Sequence, residues 1–181
     1  MTTDERVSRI KASIGCIPNF PKEGIIFRDI FPVCQNPDVF TDLIDVLVEH
    51  LTKTHPKIDV IIGLEARGFI FGPIIAQRLK CSFVPIRKKG KLPGDCIQVS
   101  YQLEYGVDIF EAQKTAIKEG QGVVIIDDLI ATGGTMAAAC DLVEKMSGKL
   151  LECLVIIELS DLKGRDKLKH PLYSMLTFGG H

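Results

Sequence analysis

The chain has 181 residues, of which 46% are hydrophobic and 25% charged, and its formal net charge at pH 7 is −1. This length predicts one domain with a substantial core, and the balanced charge argues against nucleic acid or an anionic membrane as a partner. No apolar run approaches the ~20 residues of a membrane span, and the first residues lack the apolar core of a signal peptide. We therefore expect a cytoplasmic protein.

The cysteines and histidines give little sign of a metal or of disulfide bonds. The six cysteines are scattered without a C-x-x-C pair, so free thiols are expected. His50 and His55 are five residues apart, which is wrong for one helix face, and the other two histidines lie near the C-terminus. We predict no metal held by protein ligands.

The N-terminal third contains two predicted helices separated by an extended segment. Apolar residues recur at helical spacing over residues 7–14, which indicates a short helix. Prolines and a glycine exclude a regular helix over residues 17–32, where residues 24–30 alternate weakly, as in a short edge strand or an extended arm. Asn36 as N-cap and Pro37 at the first helical position then predict a long helix.

The rest of the chain alternates strands with helices. Residues 97–105 predict a hairpin or flap, and the capping-box pattern of Asp108 and Glu111 predicts a short helix that ends at Gly120. Buried strands are predicted at residues 58–62, 82–87, 123–126, 154–157 and 173–178, and helices at 69–79 and 134–146. We therefore predict an α/β fold, with a mostly parallel twisted sheet and helices on both of its faces.

The most informative stretch spans residues 123–135. A β-branched strand leads into Asp127 and Asp128, and the turn 131–135, Ala-Thr-Gly-Gly-Thr, precedes a helix. Such a turn could be an ordinary β-α connection with solvated acids, but it also offers several backbone N–H groups to a phosphate. Its position at the carboxyl end of a strand favours a ligand site. Neither a nucleotide-binding G-x-x-x-x-G-K-[ST] loop nor a G-x-G-x-x-G fingerprint is present.

Two further groups of residues could bind a phosphorylated substrate. Residues 65–67, Glu-Ala-Arg, follow the strand 58–62 and precede a helix, and by themselves they would be an ordinary turn with a surface arginine. Arg87, Lys88 and Lys91 form the densest cationic cluster, which is either a solvated turn or a surface that attracts anions.

The stretch 123–135 is similar to the phosphoribosyl-diphosphate-binding motif of type I phosphoribosyltransferases, and the flanking segments resemble members of that family that act on adenine. The resemblance runs from about residue 17 to the C-terminus. It implies the type I phosphoribosyltransferase fold in a single domain over residues 1–181, with an N-terminal helix and adenine-binding arm over 1–35 and a flexible hood over 92–107. It also implies transfer of 5-phosphoribosyl from phosphoribosyl diphosphate to adenine in purine salvage, giving AMP and diphosphate, by a homodimer that uses Mg²⁺.

The resemblance assigns roles to individual residues. Asp127 and Asp128 would bind the ribose hydroxyls and Glu104 would handle the proton at the base, so these three are the catalytic candidates. Mg²⁺ would be held mainly by substrate and water, and the family often has a non-proline cis peptide bond in the Glu-Ala-Arg turn. The substrate-binding candidates are Ala131, Thr132, Gly133, Gly134 and Thr135 for the 5′-phosphate, Ile26, Phe27, Arg28 and Leu129 for adenine, and Glu65, Ala66, Arg67, Arg87, Lys88, Lys91 and Tyr105 for the diphosphate.

Three alternatives stay open at this level. A phosphoribosyltransferase for another base would keep the central motif and change the arm and the hood. A regulator of the same fold would use the loop only to sense phosphoribosyl diphosphate, but such regulators usually add a DNA-binding domain, for which this chain has no room. An unrelated nucleotide-binding module would not explain the flap that accompanies the motif.

Overall fold

The computed structural model of the protein describes residues 1–102 and 106–179. The helices in this part of the chain are α1 (Thr3–Ser13), α2 (Phe31–Cys34), α3 (Pro37–Thr54), α4 (Gly68–Leu79) and α5 (Gly134–Lys145). The strands are β1 (Gly15–Pro18), β2 (Ile26–Asp29), β3 (Val60–Leu64), β4 (Ser82–Lys88), β5 (Cys96–Gln102), β6 (Val107–Gln113), β7 (Gly122–Ile130), β8 (Lys149–Leu159) and β9 (Leu172–Phe178). Two short 3₁₀ segments, Ser160–Leu162 and Gly164–Lys167, follow β8.

Seven strands form the main sheet in the order β5-β6-β4-β3-β7-β8-β9. From β4 to β9 all neighbours are parallel, whereas β6 runs antiparallel to both β4 and β5. The predicted α/β class with a mostly parallel sheet is confirmed. From β3 the chain proceeds to β4 on one side, and it later returns to β7 on the other side. Open α/β sheets bind ligands at the carboxyl ends of the strands where the order reverses in this way.

Helices cover both faces of the sheet, as predicted. On one face α1, α3 and α4 enclose a core that includes Leu47, Phe71 and Ile126, and on the other face α5 packs through Leu142 against Ile125. All five of these side chains are fully buried. Because successive residues of β7 face opposite cores, this strand is apolar at consecutive positions instead of alternating with polar residues.

The N-terminal region agrees with its sequence signals. The Asn36 side chain accepts hydrogen bonds from the backbone N–H groups of Asp38 and Val39 and caps α3. Arg6 of α1 forms two hydrogen bonds, of 2.9 and 2.7 Å, with the carboxylate of Glu49 in α3. The segment between these helices is extended, because β1 and β2 pair antiparallel apart from the main sheet.

The helix predicted from Asp108 to Gly120 is wrong, because Val107–Gln113 is strand β6. Phe110 and Ala112 lie two positions apart and are both buried, which fits the period of a strand. Glu111, between them, is also buried, and its Oε1 accepts three backbone hydrogen bonds of 3.0–3.1 Å from residues 90–92. Pairing with β4 and β5 therefore outweighs the local capping pattern.

His50 and His55 meet although their spacing does not suit one helix face. α3 ends at Thr54 and the backbone of His55 is extended, so its ring turns back toward β8. Nε2 of His50 lies 2.9 Å and Nε2 of His55 lies 3.2 Å from the same Oε2 atom of Glu152. This cluster joins the end of α3 to the sheet.

The six cysteines are free thiols, as predicted. Among the helices in the described ranges, none combines the length and the apolar character needed to cross a membrane.

Candidate active site

A cavity of about 210 Å³ opens at the carboxyl end of β7. Since β3 and β7 are parallel neighbours, the turn after β3 and the loop after β7 reach the same edge of the sheet. The cavity is lined by Arg67, Asp127, Asp128, Leu129, Ile130, Ala131, Thr132, Gly133, Thr135 and Met136. The fold thus brings together candidates that are about sixty residues apart in the sequence, and it adds Ile130 and Met136, which the sequence had not singled out.

Both acids lie within β7, which continues to Ile130 instead of ending before them. The Asp128 side chain is only 5% exposed, and its Oδ2 lies 2.6 Å from Nε of Arg67. Asp127 is half-buried, and its Oδ1 accepts a hydrogen bond of 2.9 Å from the backbone N–H of Asp128. The cavity wall therefore carries two carboxylates, of which one is neutralised by a guanidinium.

The two acids ionise less readily than free carboxyls. Its partial burial, together with the adjacent charge of Asp128, raises the pKa of Asp127 well above its ordinary value. Burial also raises the pKa of Asp128, although the Arg67 guanidinium opposes this shift. A cationic ligand or a hydroxyl donor in the cavity would therefore favour the ionised form of both acids.

The loop 131–135 ends in a helix start that suits an anion. Gly133 is the N-cap of α5 and has φ +80°, a conformation that favours glycine, and no side chain caps the helix there. The first N–H groups of an α-helix have no partners within the helix, and the helix dipole adds partial positive charge at that end. These donors can bind a phosphate without a cationic side chain.

Tyr101, to which the sequence assigned no role in the site, connects the β5–β6 hairpin to this loop. Its hydroxyl lies 3.4 Å from Oδ2 of Asp108 and also interacts with the side chain of Thr135. Burial and the charge of Asp108 raise the pKa of Tyr101 to about 12, so the hydroxyl keeps its proton. Its signal in the sequence was its place in the segment 100–105, which belongs to the predicted flap.

The Glu-Ala-Arg turn has the cis peptide bond that the resemblance implied, between Glu65 and Ala66. The Glu65 carboxylate accepts hydrogen bonds from Nη2 of Arg87 at 2.8 Å, Nζ of Lys91 at 3.1 Å and the backbone N–H of Lys88 at 3.1 Å. Arg87 above all lowers the pKa of Glu65 to about 2. The turn is thereby attached to the cationic cluster.

The cationic cluster is largely neutralised by carboxylates of the protein. Arg87 and Lys91 bind Glu65, and Nζ of Lys88 lies 2.9 Å from Oδ2 of Asp108. None of the three lines the cavity described above, in which Arg67 is the cation. These cations lie next to the site, because Glu65 in the turn after β3 binds this segment.

The N-terminal arm reaches the same edge of the sheet. Ile26, Phe27 and Arg28 all lie in β2. The guanidinium of Arg67 lies 5.8 Å from the centre of the Phe27 ring, so Phe27 lies beside the ion pair that lines the cavity. Arg28 turns elsewhere, with its guanidinium 4.5 Å from the centre of the Phe178 ring.

Two candidates, Glu104 and Tyr105, lie outside the described residues. The hood predicted over residues 92–107 is therefore described only up to Gln102 and from Gly106 onward.

Comparisons with known proteins agree with this site. Residues 33–178 match the family model described as a phosphoribosyl transferase domain. The chain is 48% identical over 178 residues to an adenine phosphoribosyltransferase of Drosophila pseudoobscura pseudoobscura, covering 98% of each chain. It is 48% identical over 177 residues to the adenine phosphoribosyltransferase of Homo sapiens, covering 97% of this chain and 98% of the human one.

Among solved structures, adenine phosphoribosyltransferase from Saccharomyces cerevisiae superposes with a TM-score of 0.94 at 49% identity. The match covers 96% of this chain and 99% of the yeast chain, which was complexed with an imino-altritol bisphosphate and adenine. Both the sequence and the structure therefore place this chain in the phosphoribosyltransferase family, among the adenine phosphoribosyltransferases.

Proposed function

We infer that this protein transfers 5-phosphoribosyl from phosphoribosyl diphosphate to adenine, giving AMP and diphosphate. The observation that carries the proposal is the cavity at the end of β7, where two acids, an arginine and a helix N-terminus converge. This combination suits a sugar that carries a phosphate at one end and a diphosphate at the other. The yeast relative was complexed with adenine and a bisphosphate, which supports the same pair of substrates here.

The loop 131–135 is proposed to bind the 5′-phosphate. The backbone N–H groups at the start of α5 would donate hydrogen bonds to the phosphate oxygens, and the hydroxyls of Thr132 and Thr135 would supplement them. Gly133, with φ +80°, turns the chain at the start of α5, where these N–H groups lie.

Asp127 and Asp128 are proposed to accept hydrogen bonds from the 2′- and 3′-hydroxyls of the ribose. As the bond from C1′ to diphosphate breaks, positive charge grows on the sugar, and two nearby carboxylates stabilise it. Arg67 opposes the rise that burial causes in the pKa of Asp128, and it holds the carboxylate in one orientation. The contribution of this pair is therefore charge stabilisation together with fixed geometry.

The turn after β3 is proposed to bind the diphosphate. The guanidinium of Arg67 would form a fork with diphosphate oxygens, and the backbone of Glu65 and Ala66 would supply further donors. The adjacent cations Arg87, Lys88 and Lys91 add positive potential, which the carboxylates that they bind partly offset.

The donor set of the cavity fits Mg²⁺, which prefers carboxylate oxygens and keeps several waters. Asp127 and Asp128 would hold the ion through water or through the ribose hydroxyls that they bind. When bound with substrate, Mg²⁺ neutralises charge on the diphosphate.

The arm is proposed to select the base. Ile26 and Arg28 lie two positions apart in β2, so their backbone groups point to the same edge of the strand. A carbonyl at residue 26 and an N–H at residue 28 would match the 6-amino donor and the N1 acceptor of adenine. Phe27 and Leu129 would cover the faces of the ring.

The remaining assignments rest on the resemblance. Glu104 is proposed to handle the proton at the base, and Tyr105 to contact the diphosphate when the hood over residues 92–107 closes. Excluding water at that stage protects the sugar cation from hydrolysis.

We also propose a single domain with its arm over residues 1–35, a homodimer and a cytoplasmic location, and no nucleic acid or membrane partner. Light scattering after size exclusion tests the dimer.

Base choice provides the sharpest test of the proposal. We expect kcat/KM at saturating phosphoribosyl diphosphate and Mg²⁺ to be ~10⁴-fold or more higher for adenine than for hypoxanthine or guanine, because both 6-oxopurines reverse the two hydrogen bonds. The variant Arg28→Ala should weaken adenine binding without creating activity on another purine, since the backbone reads the base. Comparable kcat/KM values for adenine and a 6-oxopurine would refute the choice of base.

A further inference from the structure

We propose that Gly164, in the 3₁₀ segment Gly164–Lys167, is a positioning residue that holds the loop 131–135 in its phosphate-binding conformation. The proposal rests on the phosphate role inferred above for that loop. Gly164 lies thirty residues beyond the motif in the sequence, is buried, and does not line the cavity.

The backbones of Gly164 and of the loop touch with no side chain between them. A Cβ atom on Gly164 would lie 2.2 Å from the carbonyl oxygen of Ala131 and 2.9 Å from the backbone nitrogen of Gly133. In the opposite direction, a Cβ atom on Gly133 would lie 2.2 Å from the carbonyl oxygen of Gly164. Real Cβ atoms essentially never approach another heavy atom to less than 3.0 Å, so neither position accepts a side chain without a shift.

The two glycines are required for different reasons. Gly133 has φ +80° and would strain most other residues even in open space. The φ of Gly164 is outside that range, so its backbone conformation alone would accept alanine. Only the close approach to the loop excludes a side chain at position 164, which makes it a specific probe of this contact.

The next residue fixes Gly164 to the sheet. Nε and Nη2 of Arg165 bind the two carboxylate oxygens of Glu158, the last but one residue of β8, at 3.0 and 2.6 Å. Nη1 of Arg165 donates to the carbonyl oxygen of Leu172, and Nη2 also donates to the hydroxyl of Ser174, both in β9. A bidentate pair of this kind restricts orientation as well as distance. Gly164 is thus a rigid support for the loop that lies outside the set of residues lining the cavity.

A support of this kind lowers the entropy that the loop loses when it binds phosphate. An alanine at position 164 would have to move the carbonyl of Ala131 away by about 0.8 Å, the difference between 2.2 Å and the 3.0 Å limit. Misplacement of about 1 Å can cost ~10²-fold in rate, so binding of the 5′-phosphate should suffer while the turn after β3 and the arm stay as they are.

The test compares Gly164→Ala with Asp166→Ala, a control at an exposed position of the same segment. Calorimetric titrations with ribose 5-phosphate and, separately, with Mg²⁺-diphosphate distinguish the two ends of the substrate. We expect Gly164→Ala to bind ribose 5-phosphate about tenfold or more weakly and diphosphate as wild type does, with a raised KM for phosphoribosyl diphosphate and an unchanged KM for adenine. Asp166→Ala should match wild type throughout.

The outcomes separate this proposal from the proposed function. Wild-type affinity for ribose 5-phosphate in Gly164→Ala would overturn the support role and leave the loop assignment intact. If wild type itself did not bind ribose 5-phosphate, the loop assignment would fall and the proposal with it. Glu158→Gln adds no Cβ but weakens the anchor of Arg165, so it should show the same selective loss even if Gly164→Ala does not fold. Equal losses for both ligands in Glu158→Gln would also overturn the proposal.

Discussion

Replacing Arg67 tests how much its ion pair with Asp128 contributes to the stability of the protein. The variant Arg67→Ala leaves the Asp128 carboxylate, whose side chain is 5% exposed, without its partner at 2.6 Å. Removing one member of a buried pair costs ~3–5 kcal/mol. Because the arginine side chain is 36% exposed, water can replace part of the interaction, and we expect a loss of ~2–3 kcal/mol in the free energy of unfolding.

The assay is urea unfolding, with the thermal midpoint as a second readout. For a protein of this size the loss corresponds to a decrease of about 5–10 °C in Tm. Arg78→Ala is a matched control, since Arg78 binds Asp45 at nearly the same distance, 2.7 Å, but the two side chains are 44% and 30% exposed. Exposed pairs contribute ~1 kcal/mol at most, so this variant should lose far less.

The pH dependence of the loss has a definite sign. Burial raises the pKa of Asp128 in the folded protein, and in Arg67→Ala the guanidinium that opposes this shift is gone. A folded pKa above the unfolded value means that the native state binds more protons, so its stability falls as pH rises through that interval. The deficit of Arg67→Ala should therefore grow as pH rises above the ordinary pKa of an aspartate.

A double variant completes the test. Adding Asp128→Asn to Arg67→Ala removes the stranded charge and should restore part of the lost stability. A loss for Arg67→Ala no larger than for Arg78→Ala, or no recovery in the double variant, would refute the argument that a buried unpaired charge causes the loss.

Four other measurements test separate parts of the site. Asn in place of Asp127 or Asp128 removes a charge-assisted hydrogen bond of ~1.5–3 kcal/mol, so kcat/KM should fall about tenfold or more, and wild-type kinetics in both variants would exclude these acids from catalysis. Hydrogen exchange over residues 92–107 should slow when phosphoribosyl diphosphate, Mg²⁺ and adenine are added, and equal exchange would contradict hood closure. Glu111→Gln weakens the acceptor for three N–H groups and should cost ~1–3 kcal/mol, so an unchanged urea midpoint would contradict that anchor. Because the folded pKa of Glu65 is lowered to about 2, its stabilisation is complete above its ordinary pKa and is lost as pH falls toward 2, so the stability difference between wild type and Glu65→Gln should shrink on acidification.

Local signals in the sequence predicted the elements that depend on local physics. The Asn36 cap and the Pro37 start placed α3 correctly, and the β-branched run before Asp127 placed the central strand. These signals depend on residues a few positions apart, which the sequence shows directly. The loop 131–135 was recognisable for the same reason.

Contacts between segments that are distant in the sequence could not be predicted from such local signals. The segment around Glu111 has a capping pattern as strong as its strand pattern, and only the neighbouring strands decide between them. The pair of Arg67 and Asp128 follows from the adjacency of β3 and β7, which the order of elements along the chain does not state. The approach of Gly164 to Gly133 depends on a turn between β8 and β9 that has no motif of its own.

The β5–β6 hairpin is paired with the rest of the sheet only at one end. Its pairing with β4 ends at Phe110, which is 1% exposed, and one further hydrogen bond joins Lys89 to the carbonyl of Ile109. The next two pairs, Tyr101 with Asp108 and Gln102 with Val107, overhang the sheet by ~7 Å. Among the described residues, side chains alone hold this overhang, since Lys88 pairs with Asp108 and Thr135 interacts with Tyr101. Substitutions at Phe110 should therefore lower the melting temperature more than substitutions at Tyr101 or Gln102.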